Sequence, residues 1–133
     1  MYEITVQKDF SAAHQLVDYP GNCARWHGHN WTVVVHLQAD ALDDLGMAMD
    51  FRAVKEHLSE IVDVLDHTQL NELPFFRGRN PTSEVLARYV YDAMSKRCNR
   101  PEQGLRVSRV DVSETPFTRA SYFEPPPEEG AGV

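Results

Sequence analysis

The stretch Asn30-Trp-Thr-Val-Val-Val-His-Leu-Gln38 decides the fold. Trp31, Val33, Val35 and Leu37 recur at every second position. That period marks a strand with one buried face, because successive side chains of a strand point to opposite sides. His36 falls on the other parity and is expected at solvent. The same period runs through residues 2–10. Tyr2, Ile4, Val6 and Phe10 share one face there, and Thr5, Gln7 and Asp9 the other. Between the two strands, Asp18-Tyr-Pro-Gly-Asn22 reads as a loop.

Outward from these strands the period changes. Phe51, Val54, Leu58, Ile61 and Leu65 step by three and four, which predicts an amphipathic helix with Asp50 as its N-cap. A second helix is expected over residues 81–97, with Pro81 in its first turn and Asn80 or Thr82 as cap. Its inner stripe is Leu86, Tyr89, Val90, Ala93 and Met94. Residues 105–114 and 118–123 are strand-like, joined by a hairpin turn at Thr115-Pro116-Phe117. The order ββααββ predicts an α+β domain over residues 1–123, a four-stranded antiparallel sheet with two helices on one face. Residues 124–133 are Pro-rich and acidic and are expected to be a mobile tail.

Bulk properties narrow the function. The chain has 133 residues, 42% hydrophobic and 25% charged, which suits one soluble domain. No apolar run is long enough to span a membrane, and the N-terminus lacks the pattern of a signal peptide. Two cysteines, Cys23 and Cys98, are too few for a disulfide framework, so a cytoplasmic setting is expected. A net charge of −7 argues against nucleic acid as a partner. An anionic substrate would need a local basic cluster, for which Lys8, Arg25, Arg79 and Arg119 are candidates.

Six histidines are present. His27-Gly28-His29 enters the second strand, where positions i and i+2 share a face. Gly28 adds no side chain to crowd the pair. His14 follows the first strand, and pairing of the two strands brings it near. Three imidazoles with one open position are the donor set of a catalytic Zn²⁺. Cys23, four residues before His27, is either a fourth ligand closing a structural site or a thiol beside the metal, with a lowered pKa. Asp66-His67 ends the first helix as a carboxylate beside an imidazole, the arrangement of an acid–base relay or simply of a polar helix end. Glu114 shares parity with Val110 and Val112, so its carboxylate needs a partner on an apolar face. That partner is either an arginine or a ligand donor group. His57, beside the apolar stripe of the first helix, and Cys98 are assigned no catalytic role.

These segments together resemble the 6-pyruvoyltetrahydropterin synthase family, and within it the bacterial branch that makes 6-carboxy-5,6,7,8-tetrahydropterin. The resemblance is carried by Phe10-Ser-Ala-Ala-His14, Cys23-Ala-Arg-Trp-His-Gly-His29, Met49-Asp-Phe51, Leu65-Asp-His-Thr-Gln-Leu-Asn71, Asn80-Pro-Thr-Ser-Glu84 and Ser113-Glu-Thr115. It implies the tunnelling fold (T-fold), assembled as trimers and then as a homohexamer with active sites shared between subunits. It also implies zinc on His14, His27 and His29. Cys23 would be the catalytic thiol, and His67, oriented by Asp66, a second acid–base group. Glu114 would hold the amino edge of a pterin ring in a pocket lined by Thr82 and Ser83.

The implied activity is that of a zinc-dependent lyase acting on 7,8-dihydroneopterin triphosphate in 7-deazaguanine (queuosine) biosynthesis, releasing acetaldehyde and triphosphate. A pyruvoyl-forming or aldolase-like homologue would use the same site. A zinc-stabilised pterin-binding protein without turnover, closed by Cys23, is the alternative of another class.

Overall fold

A computed structural model describes residues 1–21 and 25–126. Cys23 and the tail residues 127–133 lie outside the described residues. The elements run β1 (Tyr2–His14), β2 (His27–Ala39), α1 (Phe51–Leu65), β3 (Thr68–Gln69), α2 (Ser83–Cys98), β4 (Arg106–Ser113) and β5 (Ala120–Tyr122).

Both leading strands are longer than their alternation indicates. Thirteen residues of β1 pair antiparallel with thirteen of β2, and the ladder ends with His14 opposite His27. The sheet order is β3-β1-β2-β4-β5. The four antiparallel strands are as expected. A fifth, β3, adds two residues parallel to β1 at its far edge, so the sheet is mixed. Two residues carry no readable period, which is why the sequence does not show β3.

The inner face of the sheet holds Val6, Phe10, Trp31, Val33, Val35, Leu37, Val107, Val110 and Val112, all buried. α1 packs on β1, and α2 on β4 and β5. Asp50 caps α1 by accepting from the Arg52 N–H at 2.8 Å. Thr82 caps α2, accepting from the Val85 N–H at 3.2 Å, so Pro81 precedes the helix instead of occupying its first turn. The predicted stripes hold with local shifts. On α1, Val62 is buried and Phe51 is 52% exposed. On α2, Ala87, Tyr91 and Cys98 join the core, and Tyr89 and Ala93 are only half-buried.

The outer face of the sheet is polar but not uniformly wet. His36 has the expected outward parity, yet it is buried. Its Nε2 donates to Asp111 Oδ2 at 2.7 Å. Asp111, also buried, accepts from Ser121 Oγ and pairs with Arg109 at 3.0 Å. Burial raises the Asp111 pKa, but Ser121, His36 and Arg109 outweigh it and hold the carboxyl below its ordinary range. Parity alone gave the wrong environment for His36 because neighbouring strands supplied the cover. At the turn before β4, Gly104 has φ +63°, and a side chain there would collide with Asp40.

Leu58→Ala is expected to cost about 2–5 kcal/mol of unfolding free energy in urea titrations, because the side chain is fully packed. Phe51→Ala is expected to cost less than about 1 kcal/mol, because half of that ring already meets water.

Candidate metal centre

The end of the β1–β2 ladder assembles the centre. His14 and His27 face each other across the last pair, and His29 sits one side-chain repeat inward, opposite Ala12. The ring centroids lie 4.4 Å apart for His14 and His27, 4.8 Å for His27 and His29, and 5.2 Å for His14 and His29. One nitrogen from each ring falls within 4.8 Å of the others. Trp31, the next residue on that face, meets His14 and His29 edge-on at 4.9 and 5.4 Å and forms an apolar floor. Its Nε1 donates to the Ala12 carbonyl at 3.2 Å.

Carbonyl groups set the tautomers. His14 Nδ1 lies 2.8 Å from the Pro81 oxygen and His27 Nδ1 lies 2.7 Å from the Arg25 oxygen. A carbonyl only accepts, so each Nδ1 carries a proton and Nε2 is the nitrogen turned to the cluster. The Nε2 atoms of His14 and His29 are buried with no hydrogen-bond partner. Buried polar atoms without partners are costly, and unpartnered imidazole nitrogens converging on one point fit a cation. Burial pushes the pKa of both His14 and His29 below the ordinary 6.5, against the opposing pull of the Pro81 carbonyl on His14 and of the Glu114 charge on both. The rings are therefore neutral at pH 7, the form that ligates.

Gly28 does not relieve crowding between His27 and His29. A Cβ there would meet nothing within 4 Å. The residue instead leaves open a cleft of about 750 Å³ that it lines with His29, Glu114, His36, Asp111 and Arg119.

Glu114 faces the centre. Its carboxylate oxygens lie 3.4 Å from His29 Nε2 and 3.9 Å from His14 Nε2. Ser83 Oγ donates to Oε1 at 3.4 Å. Among the described residues its partners are these groups and not an arginine. Thr82 spends its hydroxyl on capping α2, so of the two expected pocket residues Ser83 alone meets Glu114.

Asp66 and His67 form the expected pair, with His67 Nδ1 2.9 Å from Asp66 Oδ2. The other oxygen, Asp66 Oδ1, accepts from the Ser11 N–H at 2.9 Å. This bond, then that to His67, holds the Asp66 carboxyl below its ordinary pKa. His67 has φ +56°, a left-handed conformation that is strained for a residue with a side chain. Its ring is 82% exposed, and the structure does not bring it onto the three histidines of its own chain. Of the basic candidates, Arg119 alone lines the cleft. Lys8 is held by Ser59 and Asp63 on α1, and Arg79 lies over the Phe75 ring.

Strand parity already put Trp31 on the face of the histidines; sequence reasoning missed the Pro81 carbonyl and the amides of Asn71 and Asn80, which bond the chain just after His14. Main-chain acceptors leave no compositional trace. Asn80 had a competing use as a helix cap.

A three-histidine cluster at the end of an antiparallel ladder, with a carboxylate over it and helices behind, defines an α+β protein with a site that could hold a metal ion. The chain belongs to the 6-pyruvoyl tetrahydropterin synthase family, whose sequence pattern matches residues 3–125. It is 35% identical over 131 residues to the 6-carboxy-5,6,7,8-tetrahydropterin synthase of Synechocystis, covering 94% of this chain and 95% of that one. It is 33% identical to the enzyme of the same name from Bacillus subtilis, covering 91% and 84%. The structure of Caenorhabditis elegans 6-pyruvoyl tetrahydropterin synthase superposes with a TM-score of 0.78 at 28% identity, covering 94% of this chain and 98% of that one.

The depressed histidine pKa values set a pH dependence for the metal-free protein. Unfolded histidines bind protons near 6.5, before the buried ones do, so stability is full above that pH and falls as pH drops below it. Urea unfolding between pH 7.5 and 5.5 should show this decline, and His14→Phe should flatten it.

Proposed function

We propose that this protein is a zinc-dependent lyase that converts 7,8-dihydroneopterin triphosphate and water to 6-carboxy-5,6,7,8-tetrahydropterin, acetaldehyde and triphosphate, in 7-deazaguanine biosynthesis. The observation that carries this reading is the convergence of unpartnered Nε2 atoms beside the Glu114 carboxylate. The likeness to carboxytetrahydropterin synthases over nearly the whole chain supports the choice of branch.

In this reading His14, His27 and His29 hold zinc, which supplies a Lewis acid next to the hydroxyls of the substrate side chain. Glu114 accepts two parallel hydrogen bonds from the amino group and the adjacent N–H of the pterin ring, and Ser83 keeps its carboxylate turned to the pocket. Cys23 removes a side-chain proton as a thiolate. Asp66 holds Nδ1 of His67, so the second ring nitrogen is left to carry a proton to or from substrate. The exposure of His67 fits an assembly in which it completes the centre of a neighbouring copy, as in a cytoplasmic homohexamer built as a dimer of trimers. Arg119, on the wall of the cleft, is the basic group placed to meet the triphosphate of an otherwise acidic protein.

A pyruvoyl-forming activity is the second reading, favoured by the superposition on the Caenorhabditis elegans enzyme. Mass spectrometry separates the two, because a pyruvoyl product keeps all three side-chain carbons. Incubating the zinc-loaded protein with dihydroneopterin triphosphate should release acetaldehyde and carboxytetrahydropterin, and absence of both would refute the lyase. Glu114→Gln should abolish most turnover while zinc stays bound. Arg119→Ala should raise KM roughly tenfold with little change in kcat, the signature of lost uniform binding.

A further inference from the structure

Beyond the two-residue pairing with β3, the outer edge of the chain from Ser11 to Val17 has no strand to bond among the described residues, yet its backbone groups find partners. Alternate residues of an extended chain present N–H and C=O to the same edge. On this edge those residues are Ser11, Ala13, Gln15 and Val17. The Ser11 N–H donates to Asp66 Oδ1 at 2.9 Å, and its C=O accepts from the His67 N–H at 2.6 Å. Ala12 and Ala13 lie opposite Thr68 and Gln69 of β3. The Gln15 N–H donates to Asn71 Oδ1 at 2.9 Å, and its C=O accepts from Asn71 Nδ2 at 2.9 Å. The Val17 N–H donates to Asn80 Oδ1 at 2.8 Å, and its C=O accepts from Asn80 Nδ2 at 3.1 Å. A primary amide offers one acceptor and two donors side by side, so each asparagine replaces one peptide of a missing strand.

This edge encloses His14. Gln15 is its neighbour in the chain, and Asn80 is followed by Pro81, whose carbonyl accepts from His14 Nδ1 at 2.8 Å. The amide that clasps Val17 thus belongs to the turn that orients the His14 ring. We propose that Asn71 and Asn80 are positioning residues of the metal centre: by clasping Gln15 and Val17 they lock the chain after β1, and through Pro81 they aim His14 Nε2 at the cluster. The inference rests on the three-histidine metal reading above. Partners that orient a ligating imidazole matter to affinity nearly as much as the ligands do.

Two readouts test it, one with zinc and one without. By competition with a chromophoric chelator, Asn80→Ala should weaken zinc binding roughly 10–100-fold, and Asn71→Ala less. Val107→Ala, a core change on β4 away from the edge, should lower the melting temperature and leave zinc affinity within about twofold. In the metal-free protein at pH 8, imidazole NMR should show His14 as a single Nδ1–H tautomer with a slowly exchanging proton. Asn80→Ala should speed that exchange and mix the tautomers. If Asn80→Ala does not fold, Asn80→Asp, which keeps the acceptor for the Val17 N–H and loses the donor to its carbonyl, should show the same changes in smaller degree. Unchanged zinc affinity and unchanged His14 exchange in the asparagine variants would overturn the proposal, as would an equal affinity loss in Val107→Ala. An unaltered protein that binds no zinc defeats the metal reading, while the His14 proton still decides whether the clasp positions the ring.

Discussion

The register of β1 on β2 is the constraint on which the rest of the structure depends. The ladder runs without a shift from Tyr2 opposite Ala39 to His14 opposite His27. Because the side-chain period is two, a slip of one residue would turn the whole apolar set to the wrong face, and the histidines with it. One parity therefore does two jobs. Along most of the ladder it buries Val6, Phe10, Val33, Val35 and Leu37 under the helices. At the ladder's end it carries His14, His27 and His29 onto the same face, over Trp31. The hydrophobic effect that sets the register for the core also sets it for the histidine cluster.

Placing histidines on the apolar face has an electrostatic consequence. The face desolvates the imidazoles, which favours their neutral form and leaves nitrogen lone pairs unsatisfied. The opposite parity of the same strand shows the contrast. His36 is also buried, but it meets the ionised Asp111, with Arg109 alongside, and its Nε2 is taken up by a hydrogen bond to that carboxylate. Two histidines seven residues apart thus have opposite chemistry, decided by which face of one sheet each occupies.

The edge of β1 ties the remaining chemistry to this frame. Asp66 and His67 are bonded to Ser11, and Asn71 and Asn80 to Gln15 and Val17, so the segment after α1 runs along the strand that ends in His14. The left-handed backbone of His67 is held there by its N–H bond to Ser11. That bond and the Asp66 carboxylate over-determine a conformation that an isolated chain would avoid.

Alternation and helical periodicity were enough to place both long strands, both helices and the layer order, because burial of one face imposes a period that needs no knowledge of partners. That His14, His27 and His29 would cluster was likewise readable from spacing and strand parity. Composition could not show β3, whose two residues carry no period, nor the outward His36 being covered by strands distant in sequence. Nor could it assign Asn80 to a clasp instead of a cap, or separate Ser83, which meets Glu114, from Thr82, which caps α2. The sequence by itself determined which residues share a face and which could ligate, since both follow from local geometry and side-chain chemistry. The tertiary structure alone decided their environment: which carbonyl fixes the His14 tautomer, which carboxylate stands over the centre, and where His67 is left exposed. Those depend on groups brought together from dozens of residues apart, and no local pattern in a chain encodes such a meeting.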